Sequence, residues 1–167
     1  MKILCFSDSH GDTRFIQSAL AMHRDAEAVF FLGDGLSDIE RFVYEDKVRP
    51  WFFVRGNCDH FAFVGDREAP RADTVTLGGK RITFTHGDLY GAKSGKDELI
   101  ALALNTRADI LLFGHTHTPY ESYVDTADGG LYLFNPGAAS YSYLKTPHYG
   151  IINITPDGII LSHGAFA

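Results

Sequence analysis

The chain has 167 residues, enough for one ordinary globular domain and more than the length at which a core needs staples. Hydrophobic residues make up 45% and charged residues 22%, which excludes a mainly disordered chain. Lys and Arg number 15 against 21 Asp and Glu, and the net charge of −6 excludes general affinity for nucleic acid or anionic lipid. Two cysteines, Cys5 and Cys58, are too few for a secreted disulfide framework.

From the N-terminus, Ile3 to Phe6 reads as a buried strand. It is too short for a signal-peptide core, and Asp8 and His10 close it, so a cytoplasmic protein is expected. Asp12-Thr13-Arg14 opens a helical pattern in which Phe15, Ile16, Ala19, Leu20 and His23 share a face. Ala28 to Leu32 is a second strand, after which Ser37 and Glu40 form a capping-box pair for a helix through Tyr44. Trp51 to Val54 is a third strand. Thr74 to Leu77 and Arg81 to Thr85 flank Gly78-Gly79-Lys80 as a hairpin.

Ser94 through Leu104 reads as the last helix, with Leu99, Ile100, Ala103 and Leu104 on one face, and Ile110 to Phe113 as another buried strand. The remainder is β-rich: Tyr123 to Asp125, Leu131 to Phe134, Tyr149 to Ile154 and Ile159 to Ser162. Asp128-Gly129-Gly130 and Pro156-Asp157-Gly158 supply the reversals. No run approaches the roughly 20 apolar residues of a spanning helix, and no repeat or linker divides the chain. The expectation is one α/β domain over 1–167, with two sheets face to face and helices outside.

Five apolar runs each end in a small polar cluster. Ile3 to Phe6 leads to Asp8-Ser9-His10, Ala28 to Leu32 to Gly33-Asp34, and Trp51 to Val54 to Arg55-Gly56-Asn57-Cys58-Asp59. Arg81 to Thr85 leads to His86-Gly87-Asp88, and Ile110 to Phe113 to Gly114-His115-Thr116-His117. Ligands in α/β folds bind outside the carboxyl ends of strands, so the five clusters are expected to converge. If these stretches are extended, Asp8 and His10 point to one side, as do His115 and His117. The neighbouring glycines suit turns where backbone approaches a ligand closely. Any one cluster is weak, since a lone His at a strand end is more often structural, but two imidazoles side by side want a metal or a hydrogen-bond partner.

The ordered set resembles the calcineurin-like metallophosphoesterase superfamily, whose signature is Asp-x-His, Gly-Asp, Gly-Asn, a lone His-Gly and Gly-His-x-His. With Gly56-Asn57-Cys58-Asp59 and Asn135-Pro136-Gly137 it is most similar to the small prokaryotic phosphodiesterase branch. The resemblance implies a four-layer α/β/β/α sandwich of two mixed sheets flanked by helices. It also implies two divalent ions, one on Asp8, His10, Asp34 and His117 and the other on Asp34, Asn57, His86 and His115. Asp34 and a hydroxide would bridge them. Asn57, Cys58 and His86 are the candidate catalytic residues.

Two such ions supply a nucleophile and stabilise charge on a phosphate ester. Two carboxylates and one hydroxide against four positive charges leave about +1 for an anionic substrate. The oxygen and nitrogen donors suit Mn2+, Fe2+, Co2+, Ni2+ or Zn2+, and the resemblance favours Mn2+. Cys58 stands where many members of the superfamily carry His. A protonated thiol there either donates to a leaving group or merely packs.

Asp59 and Asp88 either orient ligands or are solvated loop charges. Asp12 and Ser37 read as helix caps, Cys5 as core, and His23, His60, His148 and His163 as structural or surface. The stretch 135–140 with Tyr141, Tyr143 and Lys145 lines the substrate cleft or packs at the rim. Arg14 and Arg55 are candidate phosphate contacts. Trp51 and Tyr143 are candidates for a homo-oligomer contact. The expected function is that of a dinuclear metal-dependent phosphodiesterase hydrolysing a small or activated phosphate ester, with no membrane partner. A non-catalytic scaffold, a phosphomonoesterase and a nuclease are the alternatives.

Overall fold

In the computed structural model, which describes residues 1–127, 129–141 and 146–166, every apolar run named above is a strand. The chain runs through β1 (Lys2–Phe6), α1 (Arg14–Met22), β2 (Ala28–Phe31), α2 (Leu36–Glu45) and β3 (Trp51–Phe53). A minimal hairpin follows, β4 (Phe63–Val64) and β5 (Arg67–Glu68), and then β6 (Ala72–Leu77), β7 (Lys80–Thr85) and a 3-10 turn at Asp88–Tyr90. Next come α3 (Asp97–Thr106), β8 (Ile110–Phe113), β9 (Tyr120–Thr126), β10 (Gly129–Asn135), β11 (His148–Thr155) and β12 (Gly158–Ala165). Among the described residues no helix is long and apolar enough to cross a membrane.

The strands form two mixed five-stranded sheets, ordered β12-β11-β1-β2-β3 and β6-β7-β8-β10-β9. Ile3, Cys5 and Phe30 of the first sheet pack against Ile82, Phe84 and Leu112 of the second. Phe30 and Phe84 meet edge to face with centroids 5.0 Å apart, a contact whose truncation to Ala costs about 3–5 kcal/mol. The alternate residues of the first sheet, Leu4, Phe6, Val29 and Phe31, bury Ile16 and Ala19 of α1 and Leu36 and Ile39 of α2. On the far side, Leu111 and Phe113 bury Leu99 and Ala103 of α3. Period-2 patterning with both faces apolar thus yields helix, sheet, sheet and helix layers.

Register places the site. In the parallel strands β1, β2 and β3, Phe6 pairs with Phe31 and Phe31 with Phe53, so the three carboxyl ends finish level. In the second sheet Thr85 of β7 pairs with Phe113 of β8, again level. Each of the five ends runs directly into one polar cluster.

Several boundaries differ from expectation. The helix α1 stops at Met22, and His23 lies beyond it, its Nε2 2.9 Å from the Tyr149 hydroxyl. Gly35, not Ser37, stands at the N-cap of α2, and neither Ser37 nor Glu40 caps it; the reason lies in the loop after β3, described below. Asp12 accepts from the Arg14 N–H at 3.2 Å, while Thr13 holds the cap position of α1 without a side-chain bond.

The helix α3 begins at Asp97 rather than Ser94, because the stretch between Gly91 and Gly95 turns on itself and Asp97 and Glu98 supply the negative first turn a helix favours. Leu104 is 49% exposed, rotated off the face that Leu99 and Ala103 bury. Trp51 is 2% exposed, stacked on Phe42 and donating to Asp46, so it offers no oligomer contact. Asp128, Tyr143 and Lys145 lie outside the described residues.

Candidate metal centre

The loops after β1, β2, β3, β7 and β8 meet at one edge of the sandwich and are stitched by backbone hydrogen bonds. Asp8 N–H donates to Gly33 O at 3.0 Å, His10 N–H to Asp34 O at 3.2 Å and Gly114 N–H to His86 O at 3.0 Å. Two adjacent groups of donor atoms result, each within 4.8 Å of one another: Asp8 with His10 and His117, and Asp34 with His86 and His115. His10 and Asp34 fall within the same span of the Cys58 thiol, which joins the two groups into one constellation. Asn57 completes it, with Oδ1 3.1 Å from His86 Nε2. All seven candidate ligands and Cys58 are therefore neighbours.

The donors do not converge through extended chain, the route their spacing alone predicts. Asp8, His10, Asp34, His115 and His117 all have positive φ, between 46° and 67°. They sit in the left-handed region, which costs a non-glycine residue roughly 1–3 kcal/mol and persists only where the surroundings over-determine it. Tight left-handed turns, not a pleated strand, throw both members of Asp8/His10 and of His115/His117 into the same space. Among the described residues Arg107 is the only other non-glycine with this conformation. Strain of this kind concentrated in one loop cluster makes these loops the candidate site.

Glycine is required where the loops touch. A Cβ on Gly56 would lie 2.1 Å from Asp34 Oδ1 and 2.4 Å from its backbone nitrogen, and one on Gly33 would lie 2.5 Å from Gly56 N. The two loops interlock backbone to backbone. Gly56→Ala is expected to lower the unfolding free energy by about 3 kcal/mol, the upper range of overpacking costs, as read by urea denaturation.

The polar groups fit cations. Asp8 Oδ1 is a buried carboxylate oxygen that accepts no hydrogen bond among the described residues. His117 Nε2 and His10 Nε2 approach it at 3.2 and 3.8 Å, and they face each other at 3.2 Å. Two imidazole nitrogens aimed at one carboxylate and at each other are disposed as ligands around a shared cation. His86 donates from Nδ1 to Leu32 O at 2.7 Å, the orienting bond that directs Nε2 inward.

Electrostatics agree. Burial would push the Asp34 carboxyl up, but its hydrogen bond to His86, the charge on that imidazole and the Cys58 N–H at 2.7 Å hold it well below the usual carboxylate range. Burial likewise pushes the His86 imidazole down, and Asp34 and the charge on Asp8 raise it overall. His115 is lowered by burial and by repulsion from His86. A proton on His86 thus competes with a cation for the same nitrogen, so metal affinity falls in acid.

Cys58 is exposed, and its thiol is pushed up to about 11 by desolvation, by its hydrogen bond to Asp34 and by the charges on Asp34, Asp59 and Asp8. In metal-free protein the thiolate fraction at neutral pH is expected to be roughly 100-fold below that of an ordinary cysteine. Alkylation by iodoacetamide, followed by mass spectrometry, should be correspondingly slow near pH 7.5. Because the folded value is raised, protection is greatest below the ordinary thiol range and disappears as pH climbs through about 11.

The sequence underrated four residues. Asp59 is 9% exposed and accepts four backbone N–H groups: Asp34 and Gly56 on Oδ2 at 2.8 Å each, Gly35 and Leu36 on Oδ1 at 2.8 and 2.9 Å. It caps α2 from 23 residues away, which is why Ser37 does not. Asn135 donates to Gly114 O at 2.8 Å and Thr116 Oγ1 at 3.1 Å, and Ser140 Oγ donates to Asp8 O at 2.8 Å. The segment 135–140 therefore braces the loops of Asp8 and His115 from beneath rather than lining a cleft. Asn135-Pro136-Gly137 was its only visible signal. Arg71 pairs with Asp88 and donates to Gly56 O at 2.8 Å, tying the loops after β3 and β7, and nothing in the sequence marked it.

The candidate phosphate contacts are otherwise engaged. The Arg14 side chain is exposed and pairs with Asp12 at 2.8 Å, and Arg55 Nε donates to Asp59 O at 3.1 Å. Tyr141 is 59% exposed and meets Phe15 edge to face. His163 stacks on Phe134 with Nε2 2.8 Å from Asn135 O, a structural role, and Cys5 is buried in the core.

A model of the calcineurin-like phosphoesterase superfamily domain matches residues 1–157. A probable metallophosphoesterase of Bacillus subtilis, YsnB, is 30% identical over 158 residues, covering 94% of this chain and 86% of its own. The structure of an archaeal phosphodiesterase superposes with a TM-score of 0.76 at 20% identity, covering 99% of this chain and all of the other. Vps29 of Entamoeba histolytica, solved in complex with zinc, superposes with a TM-score of 0.67 at 19% identity over the whole of both chains.

Proposed function

The chain belongs to the calcineurin-like phosphoesterase superfamily, and from that premise we propose that it is a two-metal phosphodiesterase acting on a small or activated phosphate ester, folded as a single domain. The observation that carries this is the pair of adjoining donor groups, Asp8 with His10 and His117 and Asp34 with His86 and His115, joined through His10 and Asp34. Asp8, His10, Asp34 and His117 would hold one divalent ion, and Asp34, Asn57, His86 and His115 the other. Mn2+ is the proposed occupant, with Fe2+, Co2+, Ni2+ and Zn2+ compatible with the same donors.

Cations bound there supply Lewis acidity toward the phosphate and lower the pKa of water. The chain's own residues do the rest. Asp34, kept ionised by His86 and the Cys58 N–H, supplies negative charge between the two donor groups. Asn57 presents Oδ1 toward His86 while its Nδ2 donates to the Cys58 sulfur at 3.2 Å, which fixes the amide's orientation. Cys58 stands where many members of the superfamily carry His, a change that suits an ester whose alcohol leaves with little protonation. That supports an activated or aryl ester over a simple alkyl one.

The test is an activity screen of metal-reconstituted protein across monoesters, diesters and cyclic nucleotides. Diester hydrolysis that is lost on chelation and restored by Mn2+ is the expected result. The likeness to Vps29 supports a second reading, a scaffold in the same fold. Protein that hydrolyses no aryl diester with any divalent metal, yet retains a defined protein partner, would establish the scaffold instead. The location is proposed to be cytoplasmic.

A further inference from the structure

Immediately after Asp59 the chain carries two phenylalanines on its outer surface, Phe61 at 80% and Phe63 at 55% exposure. Full burial of such a ring is worth about 1.5–3 kcal/mol, so two left in water at i and i+2 are an unused source of affinity. The segment that bears them is anchored. Val64 and Ala69 are 3% exposed in the core beneath α2, and Ala69 N–H donates to Ala62 O at 2.7 Å. Arg67 lies over the Phe53 ring at 4.5 Å and donates to Trp51 O at 2.9 Å. The backbone that carries the rings is therefore anchored by a clamped hairpin.

Between this hairpin and the first turns of α2 lies a cavity of about 460 Å³, lined by Cys58, His60, Phe61, Phe63, Leu36 and Glu40. That volume is within the range of small-molecule sites. Cys58 is part of its wall, and its thiol is within 4.8 Å of the donor atoms of His10 and Asp34, so the cavity adjoins the candidate metal centre. Its chemistry selects the occupant. The Gly35 and Leu36 N–H groups at the start of α2 are consumed by Asp59, and Asp59 and Glu40 both stand on the wall, with Ser37 between them on α2, so a second phosphate finds two carboxylates and repulsion. What remains is an apolar, aromatic slot.

We propose that this cavity binds the organic group of the substrate, and that Phe61 and Phe63 select an uncharged aromatic ring, an aryl group or a nucleobase, on a monophosphate diester. This rests on the phosphoesterase reading and names its substrate class. Stacking of one ring on an aromatic side chain is sequence- and substituent-tolerant, so the slot fits a class of esters rather than one molecule.

The experiment compares kcat/KM for a phenyl and a fluoroalkyl methyl-phosphodiester of matched leaving-group acidity, in wild type and in the Phe61→Ala/Phe63→Ala variant, both loaded with Mn2+. Wild type should favour the phenyl ester at least tenfold, chiefly through KM, and the variant should bring that ratio close to one. Titration calorimetry with phenylphosphonate and methylphosphonate reads the same slot without turnover, and wild type should bind the phenyl compound at least fivefold tighter. Equal affinity in wild type, or a phenyl preference that survives in the variant, overturns the proposal. If no ester is turned over while the calorimetric preference is present and lost in the variant, the aromatic slot stands and the hydrolytic reading falls.

Discussion

Asp34→Asn is expected to leave a folded protein whose kcat/KM on any ester it hydrolyses is lower by about a thousandfold, roughly 4 kcal/mol of transition-state stabilisation. The substitution keeps the shape of the side chain, and an amide oxygen can still accept the Cys58 N–H that now reaches Asp34 Oδ1 at 2.7 Å. What it removes is the charge. Asp34 is 3% exposed, falls within 4.8 Å of two separate sets of donors and lies 3.4 Å from His86 through Oδ2. An amide offers one neutral oxygen where a carboxylate offers two that share a negative charge, so a cation pair loses its common anchor. Metal content measured by plasma mass spectrometry should fall from two ions per chain to one or none, while the circular dichroism spectrum stays that of wild type. Retention of both ions and of near-normal turnover would remove Asp34 from the centre and the two-metal reading with it.

Asp59→Ala is expected to be the most damaging change at a polar residue outside the candidate ligands, lowering the unfolding free energy by about 3–5 kcal/mol. One carboxylate satisfies N–H groups of Asp34, Gly35, Leu36 and Gly56. Those of Asp34, Leu36 and Gly56 are buried, so removing the acceptor strands donors that water cannot easily reach. The start of α2 also loses the carboxylate that accepts from its first N–H groups, leaving Asp38 as the acidic residue of its first turn. Asp59→Asn should recover only part of the loss, because its NH2 group would face N–H donors where the carboxylate accepts. Thermal and urea unfolding of the three proteins gives the order wild type, Asn, Ala. Activity should fall with stability, since the loop that Asp59 holds carries Asp34. An Asp59→Ala protein as stable as wild type would show that the four hydrogen bonds contribute little.

The strand skeleton was legible because buried strands advertise themselves. Ala28 to Phe31 and Ile110 to Phe113 are apolar at every position, which a strand covered on both faces requires. Helix limits were less legible, and the reason is specific in each case. The start of α2 is set by a carboxylate distant in the chain, and the start of α3 by a glycine-framed turn ahead of Asp97. Local rules make Ser37 a plausible cap and Ser94 a plausible helix start; the distant Asp59 overrules the first and the turn between Gly91 and Gly95 the second.

The candidate site divides along the same line. By itself, the sequence determined which kinds of atoms this protein can offer, in what order along the chain, and that each set follows an apolar run: the carboxylates Asp8 and Asp34, the amide Asn57, the imidazoles His10, His86, His115 and His117. These are properties of residue type and spacing, and no folding is needed to read them. Only the tertiary structure decided that three strand ends finish level in one sheet and two in the other, that the donors reach one another through left-handed turns rather than extended strand, and that Asp59, Asn135, Ser140 and Arg71 hold those turns. A strained backbone is maintained by bonds from remote segments. Such bonds leave no pattern in the neighbouring residues, because the partners are brought together by the packing of the sheets and not by their separation along the chain.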